Sequence, residues 1–263
     1  DELKRDYALD GAAVDELLGF LARQKSVSQA DLPHRTHILA ERFVETAAEA
    51  AVPQWFFHTL WGGRLNRPFA WALAQAWEDR FGQRVEVRAN DVGVLLLASA
   101  DIGAEEILRL AAPEHLDDLL RRRLEQTGFF GARFRENAAR ALLLPRHGFG
   151  KRMPLWANRQ RSKRLFEAVA GKPDFPILVE TWRSCLQDEL DLDGLRARLD
   201  ELVAGRIRVT ERVATVPSPF AGGLVWQLTN QLMYLDDTPT TGRPTSLSGE
   251  LIREVLFSPD LRP

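Results

Sequence analysis

The residues best placed to do chemistry in this chain are cations and aromatics. Between Arg133 and Arg164 it carries Arg133, Arg135, Arg140, Arg146, Lys151, Arg152, Arg159, Arg161, Lys163 and Arg164, and Glu136 is the one acid among them. A phosphate backbone rewards such a stretch by releasing its condensed counterions. On a helix starting near Pro154, Leu155, Phe166 and Val169 fall on one face, a core face, with Leu165 at its edge and Trp156 outside it. Arg159 and Lys163 stand at i+3 and i+7 from Trp156 and so share its flank. An indole between cations can stack on an unpaired base while the cations hold phosphates. The same spacing equally suits a Trp156 packed on a neighbouring helix with its arginines solvated.

A second constellation is Trp61-Gly62-Gly63-Arg64-Leu65-Asn66-Arg67-Pro68. Two glycines permit close backbone approach. With Asn66 or Arg67 in the cap position before Pro68, a helix end would direct free N–H groups outward, an anion site to which Arg64 and Arg67 add full charge. A tight turn with exposed arginines is the alternative from the loop alone. The candidate nucleic-acid-binding residues are thus Arg64, Asn66, Arg67, Lys151, Arg152, Trp156, Arg159, Arg161 and Lys163.

Other chemistry lacks its residues. There is no Gly-x-x-x-x-Gly-Lys-Ser/Thr loop for a triphosphate, no Gly-x-Ser-x-Gly and no His-Glu-x-x-His. His34 and His37 are spaced i, i+3 but have no third metal ligand nearby. Pairs such as Glu105-Glu106 and Asp117-Asp118 read as solvated helix faces. Cys185 is the single cysteine, too few for a disulfide or a thiolate cage, and it suits a reducing, cytoplasmic setting. No catalytic residue and no metal site is expected in this segment.

The 263 residues, 45% apolar and 27% charged, have an ordinary globular composition, and the formal net charge of -2 means that any affinity for a polyanion must come from a local patch. No apolar run approaches the ~20 residues of a bilayer span. The charged start, Asp1-Glu2-Leu3-Lys4-Arg5-Asp6, reads as a segment cut from something longer.

Periodicity predicts a helix over residues 11–24, with Val14, Leu17, Leu18 and Leu21 along it. It predicts strands at 37–43, 54–61, 84–88 and 92–98, the last two joined by a turn at Asn90-Asp91. A helix over 68–81 places Phe69, Leu73, Trp77 and Phe81 on one face and Trp71 opposite. Helices follow near 104–111, 114–126, 131–143, 154–170, 176–189 and 193–204, then a strand at 206–213, a helix at 218–235, a loop at 236–244 and a short helix near 247–256. In the helix opened by Pro176, Leu178, Trp182 and Cys185 form a core face. The expected class is α+β: an N-terminal mixed α/β part with a small sheet, residues 1–145, followed by a mainly helical, nucleic-acid-contacting part, residues 146–263.

Four segments in order carry a family resemblance. They are His58 to Pro68 with Arg80-Phe81-Gly82 behind it, Met153 to Arg161, Pro173 to Thr181 with Cys185 to Asp188, and Pro217 to Ala221. Together they resemble the DEAD/H-associated domain that follows the motor in large helicase-related (Lhr) proteins, over roughly residues 30–235. The resemblance implies an accessory domain of an ATP-dependent superfamily 2 DNA helicase. ATP and magnesium would be bound by motor domains outside this chain, and a winged-helix domain would lie between. The implied partner is single-stranded DNA or a DNA/RNA hybrid, in a DNA repair setting. A nucleic-acid-processing enzyme of the glycosylase type, with Asp191, Asp193, Gln227 and Gln231 as candidate groups, and a protein-interaction module stand as alternatives.

Overall fold

The computed structural model describes residues 2–43, 54–98, 102–144 and 154–226. A short helix α1 (Glu2–Asp6) precedes α2 (Gly11–Ser28), where Asp10 caps the first turn by accepting the Ala13 amide at 2.8 Å. Strands β1 (His37–Phe43) and β2 (Gln54–His58) lead to α3 (Gly63–Phe81). The hairpin β3 (Glu86–Ala89) and β4 (Val94–Leu97) follows. Its turn is closed by the Asn90 carboxamide, which accepts the amides of Val92 and Gly93, each at 2.9 Å.

Helices α4 (Ala104–Arg109), α5 (Leu116–Leu124), α6 (Gly128–Arg140), α7 (Leu155–Val169), α8 (Pro176–Arg183) and α9 (Leu192–Val203) come next, then strand β5 (Arg208–Ala214). Residues 219–226 are again helical. The fold is α+β, as the sequence predicts.

The five strands join in the order β3-β4-β2-β1-β5, with β1 and β5 parallel and every other neighbouring pair antiparallel. Alternation gives the sheet two apolar faces. Ile38, Ala40, Trp55, Phe57, Val94 and Leu96 meet the apolar sides of α3, α4, α5 and α9 in the main core. Phe43, Phe56, Leu95 and Leu97 meet Ala221, Leu224 and Val225 on the other face. That second face also buries Glu41 and His58, with His58 Nε2 lying 3.4 Å from Glu41 Oε1. The Ser218 amide donates to Glu41 Oε2 at 3.3 Å, and Gln24 of α2 holds the Ser218 hydroxyl and the Phe220 amide. Polar bonds therefore fix the helical segment at 219–226 over the sheet.

A separate small core holds Leu124, Phe130, Phe134, Ala138, Val169, Leu178 and Cys185, with Phe166 set edge-on to Phe130 and Phe134. The face of Leu178, Trp182 and Cys185 packs as expected, although the helix passes at Ser184 into a π-helical turn ending at Glu189. Trp71, opposite the main core face of α3, turns to this unit and meets Phe129 with ring centroids 5.7 Å apart.

The expected boundary at residue 145 falls outside the described residues. Helices α6 and α7 share one core, and α9 and β5 complete the sheet unit. The chain builds most of the sheet unit, inserts the α6–α8 unit, and returns. Two differences have local causes. Leu18 of α2 is exposed, because the buried line continues through Val14, Gln24 and Ser28. Helix α3 begins at Gly63, so that Pro68 lies inside it and not in its first turn. The expected loop at 236–244, the short helix near 247–256 and the end of the helix predicted for 218–235 lie outside the described residues.

Candidate nucleic-acid interface

The Gly-Gly loop proves to be a joint. Leu60 (φ 53°) and Gly62 (φ 80°) take left-handed backbone, and the Leu60 amide donates to the Val92 carbonyl at 2.9 Å. The Gly63 amide at the start of α3 donates to Asp91 Oδ1 at 2.8 Å. A carboxylate therefore already occupies this helix end, and a phosphate there would meet like charge. The expectation of an anion site at the loop is corrected on this ground.

Arg64 is spent as well. Its guanidinium donates to the carbonyls of Asp188, Glu189 and Leu190 at 3.1–3.3 Å, closing the end of the π-helical turn. Asn66 is fully buried; its amide donates to the Asn90 and Asp91 carbonyls at 2.8 and 3.3 Å, and its oxygen accepts the Thr59 hydroxyl at 2.7 Å. A side chain so enclosed has no surface for a ligand, which removes Asn66 from the interface. Arg67 alone of the loop's candidates is both exposed and without a hydrogen bond or ion pair among the described residues.

Helix α7 presents the better surface. Ser162 and Val169 are buried against the helical unit and Leu165 and Phe166 are half-buried, so the opposite side faces outward. Trp156 is 68% exposed. Leu155, expected in the core, is 79% exposed: it sits in the first turn of α7, ahead of the residues that pack. A leucine and an indole side by side in solvent leave an apolar patch that sequence reasoning assigned only in half. The exposed first helical turn was the one available signal.

Beside the patch stand Arg159 and Lys163, both exposed, with Lys163 3.9 Å from Glu167. Arg161, five residues on from Trp156, stands about 140° round the helix and faces elsewhere. The basic run is thinner than its sequence suggests, because Arg133 pairs with Glu136 and Glu189 and Arg140 pairs with Glu136. Lys151, Arg152 and Arg146 lie outside the described residues. What comes together is therefore Trp156, Arg159 and Lys163 on one flank of α7, with Arg67 on another element.

Two other polar groups near this region are already committed. Burial pushes the Cys185 thiol up to about 12, which keeps it protonated and inert. Asp191 is committed to capping α9, accepting the Gly194 amide at 2.9 Å. Among the described residues no three His, Cys, Asp or Glu side chains gather as a metal site.

A family model described as DEAD/H associated matches residues 32–221. The chain is 33% identical over 252 residues to the Lhr helicase/uracil glycosylase of Escherichia coli (strain K12), covering 94% of this chain and 16% of that protein. It is also 33% identical over 257 residues to the Lhr helicase/probable uracil glycosylase of Mycolicibacterium smegmatis, covering 96% and 17%. The chain thus spans about a sixth of these relatives. Among solved structures, Mycobacterium smegmatis helicase Lhr bound to ssDNA and AMP-PNP matches with a TM-score of 0.71 at 33% identity, covering 82% of this chain and 27% of that one. The breadth of the family match shows that the chain belongs to the DEAD/H associated family.

Proposed function

We propose that this domain grips the single strand along which an ATPase motor of the same parent protein moves. The observation that carries the reading is Trp156, an indole two-thirds exposed with Leu155 beside it and the cations Arg159 and Lys163 on its flank. An exposed tryptophan has no packing role in the fold, and stacking on an unpaired base would supply one. The solved relative bound to ssDNA supports the choice of ligand. ATP and magnesium belong, in this reading, to motor domains elsewhere in the parent chain. Those motor domains and a winged-helix domain would be its partners, and a DNA/RNA hybrid is a further substrate.

Titration of labelled single-stranded DNA tests it. Trp156→Ala weakens binding by about 1–3 kcal/mol through lost stacking and leaves the melting temperature unchanged. A folded Trp156→Ala variant of undiminished affinity would refute the assignment.

The uracil glycosylase named for two relatives supports a second reading, in which this domain itself removes a base. Of the groups considered for it, Asp191 is occupied as a helix cap and Gln227 and Gln231 lie outside the described residues. Incubation with uracil-containing DNA followed by alkali would give strand scission under this reading alone.

A further inference from the structure

A second cationic surface lies where the end of α2 meets the edge of the sheet. Lys25 and Gln29, at the end of α2, and Asp31 border a groove of about 380 Å³ whose other wall is Arg208, Thr210 and Arg212 of β5. The geometry of β5 explains the wall. Residues 208, 210 and 212 alternate onto one face of the strand, opposite His37, Leu39 and Glu41 of β1 in register. Among the described residues β5 is the outermost strand on that side, and Arg208 and Arg212 are exposed while Thr210 is half-buried.

The groove carries more positive than negative side chains. Three cations face one acid, Asp31, which pairs with Arg208 at 3.3 Å across two exposed side chains. Such a surface pair contributes little and exchanges readily for another anion. Lys25 and Arg212 have no acid partner among the described residues, whereas Arg122, Arg183 and Arg196 are all matched to carboxylates. A slightly acidic chain has therefore left positive charge uncompensated here. The lining is polar save for Ala30, so the groove lacks the aromatic or aliphatic anchor that a protein partner or a stacked base would need. Arg208 and Arg212 stand about 13 Å apart along the strand, too far to share one small anion and well set to hold separate charges of an extended one.

We propose that this groove binds the phosphodiester backbone of a nucleic acid strand, independently of sequence, as a site separate from the α7 patch. It supplies electrostatic hold and register, with no base reading.

The test is a titration of the 263-residue chain with labelled single-stranded DNA at several salt concentrations. The Lys25→Gln/Arg212→Gln variant can no longer neutralise two phosphates. Its affinity falls, and its salt slope drops by about 1.4, at ~0.7 per phosphate on a single strand. Both side chains are on the surface, so thermal melting should be unaltered, and Arg212→Gln alone, with half the slope change, serves if the double variant is unstable. A folded variant with wild-type affinity and slope overturns the proposal. Titration with inorganic phosphate separates the sources. Phosphate binding that the variant abolishes, with the DNA slope intact, makes this a free-phosphate site and also overturns it. Loss of slope in this variant while Trp156→Ala is silent upholds the groove and rejects the α7 patch; the opposite pattern does the reverse.

Discussion

The backbone amide of Asp191 donates to the carbonyl of Arg64 at 3.3 Å. In an uninterrupted helix that carbonyl would receive the amide of residue 68, and Pro68 has none to give. The vacancy made by the proline is filled by the segment that leads from the helical unit back into α9. The Arg64 side chain completes the joint by donating to the three carbonyls just before Asp191. Two units with separate cores are thus tied by a proline, an arginine fork and one amide.

Arg64 should consequently matter to stability and not to DNA affinity. Arg64→Ala strips the π-helical turn of its charged donor and lowers the unfolding free energy by about 1.5–3 kcal/mol, measured by chemical denaturation. Arg64→Lys recovers little of this, since a single ammonium cannot reproduce the planar fork that spans three carbonyls. Full stability in the lysine variant would show that charge alone, and not the fork, closes the joint.

This joint also marks how far the sequence could be read. The strands, the helices and the apolar faces of α3 and α8 follow from periodicity, because each is a local pattern. Arg64, Asn66 and Pro68 look, taken as a string, like a phosphate loop, because arginine, asparagine and a helix start are what such loops contain. Their true partners, the carbonyls at 188–190 and the Asn90-Asp91 turn, are set by tertiary packing that the local string does not encode. The basic run misleads in the same manner: Glu189, which takes Arg133, is far along the chain. The parallel pairing of β5 with β1 depends on a return across the whole helical unit, so a strand at 206–213 could be foreseen and its place in the sheet could not. Trp156 was legible because exposure on an amphipathic helix is itself a matter of spacing.

His37 makes the fold sensitive to acid. Its Nδ1 faces the Leu32 carbonyl at 3.1 Å and its Nε2 the Thr210 hydroxyl at 3.0 Å, an arrangement suited to the neutral ring with its proton on Nδ1. Burial lowers its pKa. The Leu32 carbonyl opposes that shift, Arg208 and His34 add to it, and Asp31 opposes it. A folded-state value below that of the unfolded chain, ~6.5, means that the stabilisation is complete above that pH and is lost as pH falls through the folded value. Melting temperature should therefore drop as pH is lowered below about 6.5, and His37→Gln should flatten that part of the curve. An identical pH profile in the glutamine variant would place the sensitivity elsewhere.

Arg67 and Arg159 separate two ways of holding a strand. Both are exposed and neither has a partner among the described residues, yet Arg67 projects from the structural joint and Arg159 flanks the exposed indole. If the strand lies on α7, Arg159→Gln removes one phosphate contact and reduces the single-strand salt slope by about 0.7, and Arg67→Gln has no effect. A strand that instead continued from α7 to α3 would make the two substitutions equivalent and additive, since residues without shared partners add in free energy. Both variants leave the carbonyl clamp of Arg64 untouched, so denaturation midpoints should match the wild type and any change in slope can be assigned to weaker engagement of the DNA backbone. A slope altered by Arg67→Gln alone would move the strand off α7 and onto the face of the joint.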